Sequence, residues 1–347
     1  MINEASLKAY AVERFKDAKD VEVLRLGSGV HGTGFMLKIT HNSGLETTYV
    51  IKELAPQGLG HDYPSDRAAV FLLALDEYNK LPRHVKAVDV LSLDKCGALK
   101  SIGGGLEYYL LMETATGTDY FNDLEAMRDK PNLSETDKTK IKAMTAYLAE
   151  IHKIKADNRQ LYWRKIRDTI GHGECLMGVF DLYPDGTMTY EAMAEIEKLC
   201  VDWRARLKPK HHRLCQIHGD FHPGNVWFRS DTDFTLLDRS RGAFGDAADD
   251  ITAMSINYLF YSVMYHGELK GAYREAFMLF FEDYLNLSGD NELLEVLAPF
   301  YAFRGAVVCH PLFYPNLSNE RRRIIMDFVK RVLRSDRFNH TEIDKHF

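Results

Sequence analysis

The sequence predicts an α+β chain in two parts, an N-terminal antiparallel sheet with an accompanying helix and a mainly helical C-terminal remainder. Three observations predict it. Short strand-like runs separated by Gly-bearing turns fill the chain to about residue 114. From about residue 118 apolar residues recur at helical spacing, as Ile141, Met144, Leu148 and Ile151 do. At 347 residues and 46% hydrophobic, the chain has enough apolar material for two parts, expected at 1–114 and 115–347.

The elements follow in order. Met1 to Asp20 is charged and helix-like, with neither an apolar h-region nor a cleavage site. Gly27, Gly29 and Gly32 then form a G-x-G-x-x-G pattern, which alone is weak because dinucleotide-binding folds share it. Such a fold needs a helix next and an acid about 20 residues on. Here Phe35–Ile39, a turn at His41–Gly44 and Thr47–Lys52 read as strand, turn, strand. A glycine loop over phosphates and a lysine in contact with them fit this order; the plain alternative for Lys52 is a solvated strand end. Ser65 to Lys80 is helical in pattern, with Asp66 near a Ser cap and Glu77 as the better acidic partner for Lys52; Asp66 and Glu53 stay open. Tyr108–Met112 reads as a continuous apolar strand. Lys138 to Ile154 is an amphipathic helix, and further helices are expected near 247–265, 270–287, 291–310 and 318–335, with Pro311 and Pro315 parting the last two.

Chemistry concentrates in Ile217-His218-Gly219-Asp220-Phe221-His222-Pro223-Gly224-Asn225 and Thr235-Leu236-Leu237-Asp238, two short loops joined by an expected β-hairpin. Phosphoryl transfer from ATP needs such a set: Asp220 to take the proton of an attacking hydroxyl, Asn225 and Asp238 to hold Mg²⁺ against the phosphates. Asn225 follows Asp220 at the same offset as Asn follows Asp in H-R-D-x-x-x-x-N loops, with glycine where that motif has arginine. A simple turn is one alternative. A zinc site on Cys215, His218 and His222 is another, although no CxxC pair exists and a fourth ligand is unmarked.

These motifs resemble the H-G-D-x-H-x-x-N signature of the aminoglycoside phosphotransferase and choline kinase group, over roughly residues 20 to 265. The resemblance implies a bilobal protein-kinase-like fold and a hinge after Tyr108–Met112, with Glu113 and Ala115 meeting the adenine. It makes His152 structural and matches Asp246 and Asp250 to acids at the start of a helix, Asp246 as its N-cap. Arg239 and Ala247 depart from the group's pattern.

Composition narrows the rest. A net charge of −6 with scattered Lys and Arg argues against nucleic acid, and no apolar run reaches the length of a membrane span. Five cysteines without framework spacing suit a reducing cytoplasm. Only seven residues part Asp238 from Asp246, too few for an activation segment, so a small hydroxylated acceptor is favoured over a protein. Arg164, Lys165, Arg167 and His172 could bind an anionic acceptor; Glu268, Glu275, Glu282 and Asp283 could serve a polycation. A protein kinase and a catalytically silent nucleotide-binding module remain alternatives. Oligomeric state is not legible.

Overall fold

The structure, a computed structural model, describes residues 2–26, 34–56, 60–80, 84–110, 112–239 and 241–346. Gly27, Gly29 and Gly32 lie outside the described residues. The chain is α+β and falls into two compact units, Met1–Met112 and Glu113–Phe347.

The N-terminal unit opens with α1 (Glu4–Arg14), whose first turn is capped by the Asn3 side chain. Strands β1 (Ala18–Arg25), β2 (Gly34–His41) and β3 (Glu46–Lys52) form an antiparallel sheet in the order β1-β2-β3. Leu37, Ile39 and His41 alternate inward along β2, and the turn into β3 closes at Gly44 with φ +83°. Leu7, Ala11, Val21, Leu37, Ile39 and Leu99 make a small core between α1 and the sheet. Helix α2 (Pro64–Tyr78) starts one residue earlier than the sequence suggests. Its cap is not Ser65, because Pro64 already occupies the first turn; Asp66 instead accepts the Tyr63 N–H at 2.7 Å. A hairpin of β4 (Leu91–Leu93) and β5 (Leu99–Ser101) follows.

Tyr108–Met112 corrects the reading of a strand. Among the described residues it pairs with no strand, and Tyr109, Leu110 and Met112 are exposed. An apolar run becomes a strand only where an open edge accepts its backbone. Here Tyr108 turns back instead, donating its hydroxyl to the Ile102 carbonyl at 2.8 Å.

The C-terminal unit begins with β6 (Thr118–Asp119), α3 (Phe121–Ala126) and α4 (Glu135–His152). Ser134 and Asp137 cap α4 reciprocally, and Ile141, Met144, Leu148 and Ile151 are buried as their spacing requires. Next come α5 (Arg159–Gly171), α6 (Leu176–Asp181) and α7 (Tyr190–Leu207). Two small antiparallel sheets carry the loops of interest. One joins β7 (Cys215–Gln216) to a later strand, and the other places β8 (Val226–Phe228) between β6 and β9 (Phe234–Leu236). Gly117 is required beside β6: its φ is +119°, and a Cβ would lie 2.5 Å from the Phe228 carbonyl oxygen. Strand β10 (Phe244–Gly245) pairs with β7 and leads into α8 (Ala247–His266).

Helix α8 is buried on all sides from Ala247 to Val263, at the centre of this unit, with polar residues such as Asp249, Asp250, Ser255 and Asn257 among its apolar ones. Against it pack α9 (Gly271–Ser288), α10 (Ala298–Val308) and α11 (Asn319–Arg334). The helix expected over 291–310 is two pieces, a short 3₁₀ turn at Asn291–Glu295 and then α10. Pro299 explains the break, since it fits the first turn of a helix but not the interior of a longer one. No helix of the described residues is long and apolar enough to cross a membrane.

Candidate active site

The loop from Ile217 to Asn225 leaves β7 and is fixed mainly by backbone hydrogen bonds to side chains. Asp250, in the first turn of α8 and fully buried, accepts the N–H groups of His218 at 2.8 Å and Gly219 at 2.7 Å. His152 holds the same carboxylate at 3.1 Å through Nε2, and its Nδ1 lies 2.8 Å from the Tyr284 hydroxyl. His152 is thus structural, and Asp250 anchors the loop. Gly219 has φ +87°, and a Cβ there would press on Arg241 Cβ at 3.3 Å. That is why glycine, and no larger residue, precedes the aspartate.

Asp220 follows, with 8% of its surface exposed. Burial pushes its carboxyl pKa up, but Arg304, Arg241 and His222 outweigh that and hold it at about 2. Arg304 of α10 hydrogen-bonds Asp220 Oδ1 through Nη1, and its Nη2 donates to the Gly219 carbonyl at 2.9 Å and to Asp249 at 2.6 Å. Arg241 Nε stands 3.7 Å from the other carboxylate oxygen. Asp249, on α8, is also paired with Lys165 at 2.6 Å. Burial opposes its ionisation too, and Lys165 and Arg304 hold its pKa below the ordinary carboxylate range.

The hairpin β8–β9 brings the next two oxygen donors together. Asn225 gives its amide N–H to the Asp220 carbonyl at 3.0 Å, which leaves its amide oxygen for another partner. Its backbone carbonyl accepts Leu237 N–H at 3.0 Å, so Asp238 begins beside it. Asp238 has φ +52°, the one non-glycine residue with positive φ among those described. Its carboxylate has no hydrogen-bond or ion-pair partner among the described residues. An amide and a free carboxylate oxygen suit a hard cation such as Mg²⁺. His222 caps the turn at Pro223–Asn225 through Nδ1 and the Gly224 N–H at 3.1 Å; burial lowers its pKa, although Asp220 works the other way. Cys215, His218 and His222 do not converge: no group of three His, Cys, Asp or Glu residues able to hold a metal occurs among the described residues.

The other expected residues have these surroundings. Lys52 ends β3, and Glu77 pairs with Lys80 on its own helix at 2.7 Å. Glu113 is exposed and Ala115 half-buried in the segment before β6. Asp246 is the N-cap of α8 and also binds Arg213 through both oxygens, at 2.9 and 3.0 Å. Arg239 donates to the carbonyls of Ile217 and Ala243, both at 3.0 Å, and so braces the junction of β7 and β10.

Of the basic segment, Arg164 and Arg167 both pair with Asp168 on their own helix, and Lys165 reaches the loop's ion pairs through Asp249. Among the acids offered for a polycation, Glu275 accepts the Leu133 N–H and Asp283 binds Thr145. Sequence reading missed Arg241 and Arg304. Arg304 had a signal, being the one charged residue in the apolar run Ala298–Val308. A cavity of about 480 Å³, lined by Phe121, Asn122, Glu125, Tyr261, Phe313 and Tyr314, adjoins the loop, since Phe121 packs on His222 at 5.9 Å.

The family profile described as the phosphotransferase enzyme family matches residues 25–284. No curated protein matches the chain. Among solved structures it is similar to amicoumacin kinase in complex with AMP-PNP, Ca²⁺ and Ami, at 13% identity over 98% of this chain and 100% of that one, TM-score 0.40. A Plasmodium vivax ethanolamine kinase matches at 14% identity over 97% and 83%, TM-score 0.34. A glucosamine kinase matches at 14% over 95% and 74%, TM-score 0.40.

Proposed function

The chain belongs to the phosphotransferase enzyme family, and on that premise we propose that it is a small-molecule kinase, moving the γ-phosphate of ATP to a hydroxyl of a small acceptor. Asp220 is the base. The acceptor O–H donates to its carboxylate, the new O–P bond forms as the bond to the ADP leaving group breaks, and the proton passes to Asp220. Asn225 and Asp238 are the residues that would hold Mg²⁺, whose charge would offset that of the phosphates.

The observation that carries this reading is the pinned loop. Asp220 is ionised and buried on a backbone fixed by Asp250, and the β8–β9 hairpin sets Asn225 and Asp238 side by side after it. Such fixed geometry is what phosphoryl transfer asks of a protein, since most of the catalysis is positioning and electrostatics. We further assign Gly27, Gly29, Gly32 and Lys52 to the ATP phosphates, with Glu77 as the acid that steadies Lys52 and the backbone at Glu113 and Ala115 as adenine contacts. The exposed Glu77–Lys80 pair does not oppose that role, because a solvent-screened surface pair contributes little and exchanges readily. The seven residues between Asp238 and Asp246 support a small acceptor over a protein.

The test joins binding to turnover. Asp238→Ala should lose Mg²⁺-dependent ATP binding, read by calorimetry in Mg²⁺ and in EDTA. Wild-type protein should consume ATP with some member of pooled hydroxylated metabolites and aminoglycosides, and not with protein substrates. ATP titrations identical in Mg²⁺ and EDTA would remove the metal site, and the absence of turnover would favour a silent nucleotide-binding module.

A further inference from the structure

The cavity of about 480 Å³ beside the catalytic loop has walls made mostly of rings. Phe121 opens α3, Tyr261 stands on α8, and Phe313 and Tyr314 belong to the connection between α10 and α11. The wall is continuous with the catalytic loop. Gly224, between Asp220 and Asn225, leaves room for it, since a Cβ there would lie 2.8 Å from Phe121 Cε2. From His222 the rings run on at modest angles, Phe121 at 5.9 Å and 38°, then Tyr261 a further 6.2 Å away at 31°. Burial, and after it the charge of Asp220, push the Tyr314 hydroxyl up to about 12, so it stays an O–H donor. The far wall is also fixed. Arg322 of α11, itself buried, donates to the carbonyls of Cys309, Tyr314 and Leu317 and so holds the connection. His310 stacks on Phe313 at 4.1 Å and 21°, yet Phe313 keeps 50% of its surface exposed.

We propose that this cavity receives the body of the acceptor, and that the acceptor is an uncharged compound with a flat ring and a hydroxyl on a short arm. This rests on the phosphotransferase reading of the site and adds the class of its acceptor. The volume falls within the roughly 300–1,000 Å³ usual for ligand sites and is large for a two-carbon amino alcohol. Rings inclined by 38° and 31° offer a shallow stacking surface, whereas a cation box sets ring faces around one point. The acid of the lining is already served. Glu125 accepts the Tyr265 hydroxyl at 2.5 Å, and the Arg128 guanidinium lies 3.8 Å from the centre of that same ring. An ammonium brought to Glu125 would meet Arg128 there.

Binding and turnover test it separately. Binding is read by titration calorimetry on the full chain saturated with Mg²⁺ and AMP-PNP, so that an adenine ring is not the occupant measured. Four alcohols serve as probes: tryptophol, which carries a flat ring; neohexyl alcohol, apolar without one; choline, its isosteric cation; and ethylene glycol. Tryptophol should bind tightest, with neohexyl alcohol ahead of choline and ethylene glycol. Phe313→Ala should weaken tryptophol about 3- to 10-fold, the size of one aromatic contact. Phe313→Leu keeps apolar area and loses the flat ring, so it should weaken tryptophol and leave neohexyl alcohol nearly unchanged. Asn122→Trp, at an exposed position of α3, fills the cavity from another element and should exclude tryptophol as well. No tryptophol binding by the wild type, equal binding in Phe313→Ala, or tighter binding of choline overturns the proposal. In ATP turnover kcat/KM should follow the same order, with the ATP KM unchanged in Phe313→Ala. Turnover of choline alone overturns it too. Phe313-dependent binding of tryptophol, with turnover of none of the four, would leave the ring site standing and count against the phosphotransferase reading.

Discussion

Asp220 combines burial with an unusually acidic carboxyl, and the two together define what it can do. Held at about 2 by Arg304, Arg241 and His222 against the cost of burial, it is ionised at every pH at which the protein would work. Its own titration therefore does not set the acid limb of the rate profile. Asp220→Asn keeps the shape and removes the acceptor for the proton, so kcat should fall roughly 10²–10⁴-fold with little change in ATP affinity. Turnover near wild type would remove Asp220 from the mechanism. Arg304 acts through Asp220 as a positioning residue. Arg304→Met leaves Asp249 and Asp220 short of a buried partner and should cost about 3–5 kcal/mol in urea unfolding. A merely structural role would stop there. The positioning role also predicts that the acid limb of kcat moves to higher pH, because Asp220 loses the charge that depresses it, and that Arg304→Lys restores part of the profile.

At the scale of elements, the start of α8 governs the site. Asp246 caps its first turn and binds Arg213, Asp249 meets Lys165 and Arg304, and Asp250 receives the loop's N–H groups. Three acids within one turn thus fix the helix, an ion-pair cluster and the catalytic backbone. Asp246→Ala removes a cap worth about 1 kcal/mol and half-strips a buried arginine, a loss of about 3–5 kcal/mol. Since Asp290 still holds Arg213, the lower end is expected, read as a drop in the urea midpoint at constant m-value. The elements that bear the site were legible because their signals are local. The turn glycines, the Asp246 cap and the apolar spacing of α4 and α8 each act within a few residues. Tyr108–Met112 was not legible, because a strand needs a partner edge, and pairing is a property of the sheet and not of the run.

For the molecule as a whole, the two units differ in how much they bury. Among the described residues the N-terminal unit gathers a core cluster of six buried apolar residues, whereas the C-terminal unit closes a continuous core through α4, α8, α9, α10 and α11. Amide exchange should therefore be fast in β1–β3 and slow in α8 and α10, tracking the density of buried contacts. Equal protection in both would contradict it. The C-terminal unit should also be the acid-sensitive one. Asp220, Asp246 and Asp249 all have folded pKa values below their ordinary range, so the stability they contribute is full above the unfolded value and is lost as pH falls through the folded ones. Near-UV circular dichroism should show the loss between about pH 4 and pH 2. A signal unchanged across that window would mean these carboxylates are not depressed in the folded state.

The sequence by itself determined the order of elements, the loop with Asp220 and Asn225, the hairpin to Asp238 and the family, since each rests on residues near one another along the chain. Tertiary structure alone decided what surrounds Asp220. Arg304 arrives from 84 positions away, from beyond the stretch the family profile matches, and a lone arginine in an apolar helix does not announce its partner. Arg164 and Arg167 looked equally available, and both pair with Asp168 on the same helix. Charge neutralisation is a sum over neighbours in space, and only the packing of α8 against α10 brings Arg304 to Asp220 and Asp249.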